Sequence, residues 1–229
     1  MLRGGLALAA VSMTLAPVAA AAKPAPRPDW TRTFAATPEG GFRMGNPKAK
    51  VAIVEYASLT CPHCRHFAED AVKPLIQQYV RTGKASYEYR SYVLNGIDLA
   101  ATMVARCGGP SRFFPIAEQL YATQPSWAGK VDALPMAEQD KLQAMSTPDL
   151  MVAVARVTGL FPVAAAHGIP PAKAQACLRD EAAGTKLMEM VQAGSDKGVT
   201  GTPTFFVNGK KVPAYDWATL QPFLKDAGG

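Results

Sequence analysis

The sequence predicts an α/β protein in which a large helical segment interrupts a domain of strands and helices. A strand–helix–strand pattern covers residues 50–93, and strand signals are then missing from about Asn95 to Asp180. Near the C-terminus, PTFFV and KKV form a strand–turn–strand signal between two further helical stretches. The predicted order is therefore β-α-β, helical insertion, α-β-β-α, which is typical of a mixed α/β domain.

The first 22 residues have the pattern of a secretory signal peptide. Arg3 precedes a short apolar stretch, and the run AAAA, residues 19–22, follows it. The apolar stretch is shorter than the roughly 20 residues that a membrane-spanning helix needs. We therefore expect cleavage near Ala22 and export of a soluble mature chain, because no later stretch is both long and apolar enough to span a bilayer.

The composition of the chain excludes some classes of function. Hydrophobic residues make up 48% of the chain, which is enough for a core without a disulfide framework. The net charge of +6 is spread thinly, and no Lys/Arg run is interleaved with aromatics, so nucleic acid is not an expected partner. No cofactor is predicted either.

The strand–helix–strand pattern follows a Pro-rich extension, residues 23–41, and a hairpin-like region in which Phe42 and Met44 alternate with polar residues. The first strand, residues 50–58, has four apolar residues in a row, which predicts burial on both faces. A helix with an apolar stripe then begins at Pro62 and ends near Thr82-Gly83, and Pro74 is expected to kink it. A Tyr-rich strand, residues 85–93, should pair in parallel with the first.

The long stretch without strand signals reads as several short helices separated by Gly and Pro. In TPDL, Thr147 is the predicted N-cap, with Pro148 at the first helical position. A helix over about 181–195 follows. Asn208-Gly209 then predicts a two-residue hairpin turn, and a closing helix covers 216–226.

Two cysteines, Cys61 and Cys64, stand at the start of the first helix with Pro62 and His63 between them. The free N–H groups and positive end of a helix dipole favour the thiolate of the first cysteine. The second lies one turn in, on the buried side. The first is then an accessible nucleophile and the second resolves the mixed disulfide. Pro62 suits the first turn, and His63 would add a donor, or a positive charge, beside Cys61.

A C-x-x-C pair has two other uses. A zinc site needs another close pair of Cys or His, but the remaining cysteines are 70 positions apart and no H-x₃₋₅-H follows, so no metal is predicted. A structural disulfide across so short a loop would add little stability. The pattern therefore favours redox chemistry.

CPHC after a buried strand, together with VTGTPTFFVNG about 140 residues later, resembles the DsbA-like branch of the thioredoxin superfamily. The resemblance implies a thioredoxin fold with an inserted helical domain. It divides the chain into a signal peptide (1–22), an extension (23–41), a thioredoxin-like domain (42–94 and 181–229) and the insertion (95–180). It also implies a periplasmic protein and a monomer.

The resemblance carries roles to four further positions. Pro203 matches the proline that the family holds in the cis form, and Thr202 before it would expose backbone groups to an extended substrate peptide. Pro62 contributes to the same substrate-binding surface. Glu55 matches the acid buried beneath the resolving cysteine. It is the only acid in its strand, and a buried carboxylate is costly unless it is protonated or paired, so a raised pKa would let it relay a proton to Cys64. A strand-end Glu that reaches solvent is the alternative.

The direction of electron flow is implied by Pro62 and His63, which resemble the dipeptide of the oxidising branch. The resemblance implies that the pair donates its disulfide to newly exported Cys-containing proteins and is reoxidised by a quinone-linked membrane protein of the DsbB type. A disulfide isomerase or reductase is the nearest alternative, although family isomerases carry an N-terminal dimerisation domain, and only about 20 residues precede the fold here. A non-catalytic peptide-binding or chaperone domain is the alternative from another class.

The remaining cysteines, Cys107 and Cys177, lie in the predicted helical insertion. Once the first pair is taken as catalytic, a structural disulfide between these two is predicted for an exported chain. Two buried free thiols, or a second redox pair, are the alternatives.

Overall fold

The molecule is built on one mixed sheet of six strands in the order β1-β2-β4-β3-β5-β6. The computed structural model describes Met1 and residues 28–228, so the predicted signal peptide lies outside the described residues except for Met1. The strands are β1 (Phe34–Ala36), β2 (Phe42–Gly45), β3 (Val51–Ala57), β4 (Ala85–Ser91), β5 (Thr204–Val207) and β6 (Lys210–Val212).

The parallel pairing predicted for the strand–helix–strand unit is confirmed. β3 and β4 are parallel, as expected for strands joined by a helix, and all other neighbours are antiparallel. The hairpin-like region is the β1–β2 hairpin. The described part of the 23–41 extension is therefore more ordered than its Pro-rich composition suggests, because β1 pairs with β2, and Trp30–Arg32 forms a 3₁₀ turn capped by Asp29.

The prediction that β3 is buried on both faces is wrong at its beginning. Ala52 is exposed and Val54 is half-buried, whereas Glu55, Tyr56 and Ala57 are buried. The C-terminal end of β3, which leads to the cysteine pair, is therefore the end whose residues are all buried.

The helix after β3 runs from Pro62 to Val80 without a break, but its hydrogen-bond pattern changes along its length. Its segments are α1 (Pro62–Phe67), a π-helical segment (Ala68–Val72), α2 (Lys73–Leu75) and a second π-helical segment (Ile76–Val80). Pro74 lies in α2, between the two wide segments. Proline lacks an N–H and its ring crowds the carbonyl one turn earlier, and a π-helical register relieves that crowding.

The described chain between β4 and β5 contains helices and no strands, as predicted. The helices are α3 (Gly96–Arg106), α4 (Pro110–Ala122), α5 (Gln124–Trp127), α6 (Met136–Gln143), α7 (Thr147–Thr158), α8 (Leu160–Ala166), α9 (Pro171–Leu178) and α10 (Glu181–Asp196). The short helices α5 and α8 are not predicted. The predicted cap of α7 is wrong by one residue: Ser146 is the N-cap and accepts the Asp149 N–H, which places Thr147 and Pro148 inside the first turn.

The C-terminal part of the structure confirms the predicted hairpin turn and the predicted closing helix. Asn208 and Gly209, with φ values of 49° and 78°, form the two-residue turn between β5 and β6. The closing helix, α11 (Trp217–Asp226), has Asp216 as its N-cap. These elements complete the predicted α/β fold with a helical insertion. The boundaries of that insertion at residues 95 and 180 stay a prediction.

Membrane-spanning potential is limited among the described helices. None of them is by itself long and apolar enough to cross a bilayer, and only the pair α7–α8, bent by 78°, meets the length and composition required.

Candidate active site

The cysteine pair occupies the start of α1. Cys61 is the N-cap with an extended backbone, Pro62 lies in the first turn, and Cys64 faces the interior. The two sulfurs are not bonded to each other, so the structure shows the dithiol form. Cys61 is 6% exposed and Cys64 1% exposed. The predicted order of access is therefore correct, but the nucleophile is more covered than the sequence indicates.

The pKa of Cys61 is lowered from the ordinary 9.0 to about 5. The main cause is a hydrogen bond from the Cys64 thiol, followed by the side chain of Thr202 and by the backbone N–H groups of Cys64 and His63, which together outweigh burial. The contribution of His63 therefore comes from its backbone. Its imidazole is exposed and makes no hydrogen bond among the described residues.

The pKa of Cys64 moves the opposite way, well above its ordinary value. Burial is the main cause, and the hydrogen bond to Cys61 and the charge of Glu55 add to it. At neutral pH one sulfur of the pair is therefore a thiolate and the other a thiol. These are the protonation states that are required of a nucleophilic cysteine, which reacts as the thiolate, and of a resolving cysteine, which rests as the thiol.

Glu55 is 2% exposed, so the alternative of a solvent-reaching strand-end carboxylate is wrong. Burial raises its pKa from 4.5 to about 8, although a hydrogen bond from the Tyr87 hydroxyl opposes that rise. A cavity of about 660 Å³ between the long helix and α4 is lined in part by Glu55 and Tyr87. The acid is therefore protonated near neutral pH, and it lines a space large enough for solvent.

The segment before β5 completes the site. The Thr202–Pro203 peptide bond is cis, as the resemblance implies. The carbonyl oxygen of Thr202 lies 3.3 Å from Sγ of Cys61. The chain thus places residues 141 positions apart against each other, and both Thr202 and Pro203 are partly exposed beside the sulfur.

Three polar side chains near the site are not predicted from the sequence: Asp98, Tyr121 and Gln124. All are buried and all bond the backbone that leads to Cys61. Burial raises the pKa of Asp98 to about 6. A signal for Asp98 exists, because it is the lone acid in the apolar stretch of α3. The other two have no comparable local signal, since their partners lie more than 60 positions away.

The second pair is bonded. Cys107 caps the end of α3 and Cys177 lies in α9, and their sulfurs form a disulfide. The alternative of two free thiols is therefore wrong. Among the described residues, no group of three or more His, Cys, Asp or Glu is placed to hold a metal ion.

Comparison with known proteins agrees with this geometry. The family model described as "Thioredoxin" matches residues 37–226. The crystal structure of a protein-disulfide isomerase from Novosphingobium aromaticivorans is 30% identical, with a TM-score of 0.75, and the match covers 82% of this chain and 97% of that one. Wolbachia pipientis α-DsbA1 shares the fold at 23% identity, with a TM-score of 0.65 and coverage of 81% and 89%.

Curated relatives are longer. Proteins of Rickettsia bellii and Rickettsia prowazekii, both named "Putative protein-disulfide oxidoreductase", are each 28% identical. The matches cover 82% and 75% of this chain, respectively, but the chain spans only 65% and 56% of those relatives.

The fold and the paired cysteines define a protein of the thioredoxin class, with a C-x-x-C pair at a helix N-terminus beside a cis-proline. More particularly, the chain belongs to the thioredoxin family and has the DsbA-like form of its fold, in which helices are inserted into the domain.

Proposed function

We propose that this protein is a periplasmic thiol:disulfide oxidoreductase that donates a disulfide from Cys61–Cys64 to newly exported proteins. One observation carries the proposal: Cys61 is the N-cap of α1 and lies against Thr202 of the cis Thr202–Pro203 bond, with Cys64 buried one turn further on. This arrangement lowers the pKa of Cys61 to about 5, while the pKa of Cys64 is raised. A stabilised thiolate favours the reduced form of the pair, and a pair whose reduced form is favoured is an oxidant.

The reaction begins from the disulfide form. A substrate thiolate attacks Sγ of Cys61, the bond between Cys61 and Cys64 breaks, and its electron pair leaves on Sγ of Cys64. A second substrate thiolate then attacks the substrate sulfur of the mixed disulfide and releases Cys61 as a thiolate. The substrate loses two electrons and gains a disulfide, and the pair gains the same two electrons.

Glu55 is the proton donor in this proposal. The Cys64 sulfur leaves as a thiolate in an environment that strongly favours the thiol. A carboxyl with a pKa of about 8 holds a proton at neutral pH and can give it to that sulfur. In the reverse direction the same group takes the proton back.

Substrate binding is proposed at the exposed edge around Cys61. The backbone of Thr202, held by the cis bond to Pro203, would pair with an extended peptide, and Pro62 and His63, which directly follow Cys61 in the chain, are exposed. Reoxidation of the reduced pair by a quinone-linked membrane protein of the DsbB type, a monomeric state and the division of the chain given above belong to the same proposal.

The test is the equilibrium of Cys61–Cys64 with a graded glutathione buffer, combined with the rate at which the oxidised protein forms disulfides in a reduced, unfolded substrate. We expect a strongly oxidising pair and rapid transfer that Cys61→Ser abolishes. A potential of about −270 mV, the value of reducing thioredoxins, would contradict an oxidase. Retained substrate binding by Cys61→Ser, with no redox activity in the parent protein, would indicate a peptide-binding domain instead.

Isomerase activity is the second candidate, because the Novosphingobium relative is described as a protein-disulfide isomerase. An isomerase starts from the reduced pair and reshuffles existing disulfides. Ribonuclease with scrambled disulfides separates the two activities: recovery of its activity by the reduced protein, faster than oxidation of reduced ribonuclease by the disulfide form, would favour the isomerase.

A further inference from the structure

The loop between β3 and α1, residues 58–61, is held by side chains from the helical insertion. Asp98 of α3 accepts the Leu59 N–H at 3.0 Å, and the Tyr121 hydroxyl of α4 donates to the Ser58 carbonyl at 3.0 Å. Gln124 of α5 donates to this loop twice. Three helices that follow β4 thus bond the backbone immediately before and at the nucleophile.

Gln124 has the most direct position of the three. Its Nε2 lies 2.8 Å from the Leu59 carbonyl oxygen and 3.1 Å from the carbonyl oxygen of Cys61 itself. The Cys61 carbonyl also accepts the Arg65 N–H, at 3.1 Å, which is the first hydrogen bond of α1. One amide group therefore bridges the loop and the start of the helix, and both of its N–H donors have a partner.

Gln124 is held in place by the packing and hydrogen bonds of α5. It is buried, and it begins the short helix α5 directly after the break that ends α4. Trp127, also in α5, donates its indole N–H to the Leu120 carbonyl at 2.8 Å, which ties α5 back onto α4. The backbone that carries the amide is therefore fixed on both sides of the break.

We propose that Gln124 is a positioning residue for the redox pair, which sets the place of the Cys61 sulfur and the electrostatic environment of its thiolate from within the helical insertion. This inference deepens the proposed redox function and rests on it. Two effects act together. The amide fixes the N-cap backbone, so the sulfur stays near the N–H groups of the first helical turn. It also offsets the negative end of the Cys61 carbonyl dipole, which would otherwise oppose a thiolate on the same residue.

The test is Gln124→Met in the full chain, compared with Gln119→Met. Methionine keeps the length of the side chain but has no N–H donor. Gln119 belongs to the same insertion and loses a hydrogen bond of 2.7 Å to His167, but makes no bond to the 58–61 loop. The readout is the ultraviolet absorbance of the thiolate in the reduced protein as pH is varied. Cys61 alone titrates at low pH, because the pKa of Cys64 is raised well above 9.0.

We expect Gln124→Met to raise the Cys61 midpoint by about one pH unit, a tenfold change, and Gln119→Met to leave it in place. The glutathione equilibrium should move by the same tenfold factor toward a weaker oxidant, about 30 mV for a two-electron couple. Equal midpoints in all three proteins, with only stability lowered in Gln124→Met, would overturn the proposal.

A second variant tests the proposal if Gln124→Met does not fold. Gln124→Asn is then titrated instead, because its amide adds no charge but is one methylene shorter and cannot reach both carbonyls, so a smaller upward shift is expected. If neither variant folds, Gln124 is a structural residue and the proposal is rejected. The titration does not depend on oxidase activity. A parent protein that fails to oxidise substrates therefore refutes the proposed function, whereas an unmoved midpoint in an active protein refutes only the role of Gln124.

Discussion

At the scale of single residues, Cys64 is the strongest influence on the reactivity of Cys61, because its thiol donates the hydrogen bond that contributes most to the low pKa of Cys61. We expect Cys64→Ala to raise the pH midpoint for alkylation of Cys61 from about 5 by one unit or more, since a charged hydrogen-bond acceptor loses its donor. The measurement is the rate of iodoacetamide modification against pH.

Cys64→Ser is the matched control for this prediction. Serine has nearly the same size and its hydroxyl can still donate, so its midpoint should lie closer to that of the parent protein. Equal midpoints for the alanine and serine variants would show that helix N–H groups, rather than Cys64, control the thiolate.

Protonation of Glu55 makes the stability of the protein depend on pH. Its pKa is raised from 4.5 to about 8 in the folded protein, mainly by burial. Between these values the folded state holds a proton that the unfolded state releases, so the stabilising effect is complete below pH 4.5 and is lost as pH rises toward 8. At about 1.4 kcal/mol per pH unit, the loss across this window is on the order of 5 kcal/mol.

Glu55→Gln removes this dependence while keeping a partner for Tyr87. We therefore expect the free energy of unfolding of the reduced parent protein, measured by urea denaturation, to fall relative to the variant between pH 5 and pH 8. Asp98, which also has a raised pKa, is present in both proteins and cancels in the difference. Parallel pH profiles would show that Glu55 is ionised in the folded state at neutral pH.

At the scale of elements, the features predicted from the sequence are those with a local cause. The β5–β6 hairpin follows from Asn208-Gly209, because both residues adopt positive φ, and the start of α1 follows from Pro62. The Gln124 amide could not be predicted, because its partners lie 63 and 65 positions away and depend on how the insertion packs onto the sheet. The burial of the Cys61 side chain could not be predicted either, because it results from tertiary packing.

Helix α10 offers a matched pair of glycines. A Cβ on Gly194 would lie 2.8 Å from a ring carbon of Tyr56, whereas a Cβ on Gly184 would meet only the Met103 methyl at 3.9 Å. Glycine inside a helix is unfavourable relative to alanine by roughly 0.5–1 kcal/mol. We expect Gly184→Ala to raise the melting temperature and Gly194→Ala to lower it, because overpacking costs about 1–3 kcal/mol.

The comparison within one helix separates propensity from packing. The two substitutions gain the same helix propensity, so the difference between their melting temperatures measures the contact of α10 with the sheet at Tyr56. Stabilisation by both would mean that α10 can move away from β3 at little cost. It would also mean that α10 is less tightly packed on the sheet than the buried Gly194 indicates.

At the scale of the whole molecule, the cysteine site and the helical insertion share one core. Cys61 and Cys64 belong to the same buried cluster as Val104 of α3, Phe113 of α4 and Leu178 of α9. The disulfide Cys107–Cys177 joins α3 to α9 on the edge of that cluster. A change in the second disulfide could therefore act on stability, on the redox pair, or on both.

The Cys107→Ala/Cys177→Ala double variant distinguishes a structural bridge from a second redox pair. The bridge closes a sequence separation of 70 residues. In a background where Cys61 and Cys64 are both Ser, we expect its loss to lower the free energy of unfolding by roughly 4 kcal/mol, the chain-entropy value for a loop of this length. With the first pair intact, the glutathione equilibrium of Cys61–Cys64 should stay the same, because neither cysteine of the second pair makes a hydrogen bond to Cys61 or is among the causes of its lowered pKa. A tenfold change in that equilibrium, with little loss of stability, would instead indicate that the second pair exchanges electrons with the first.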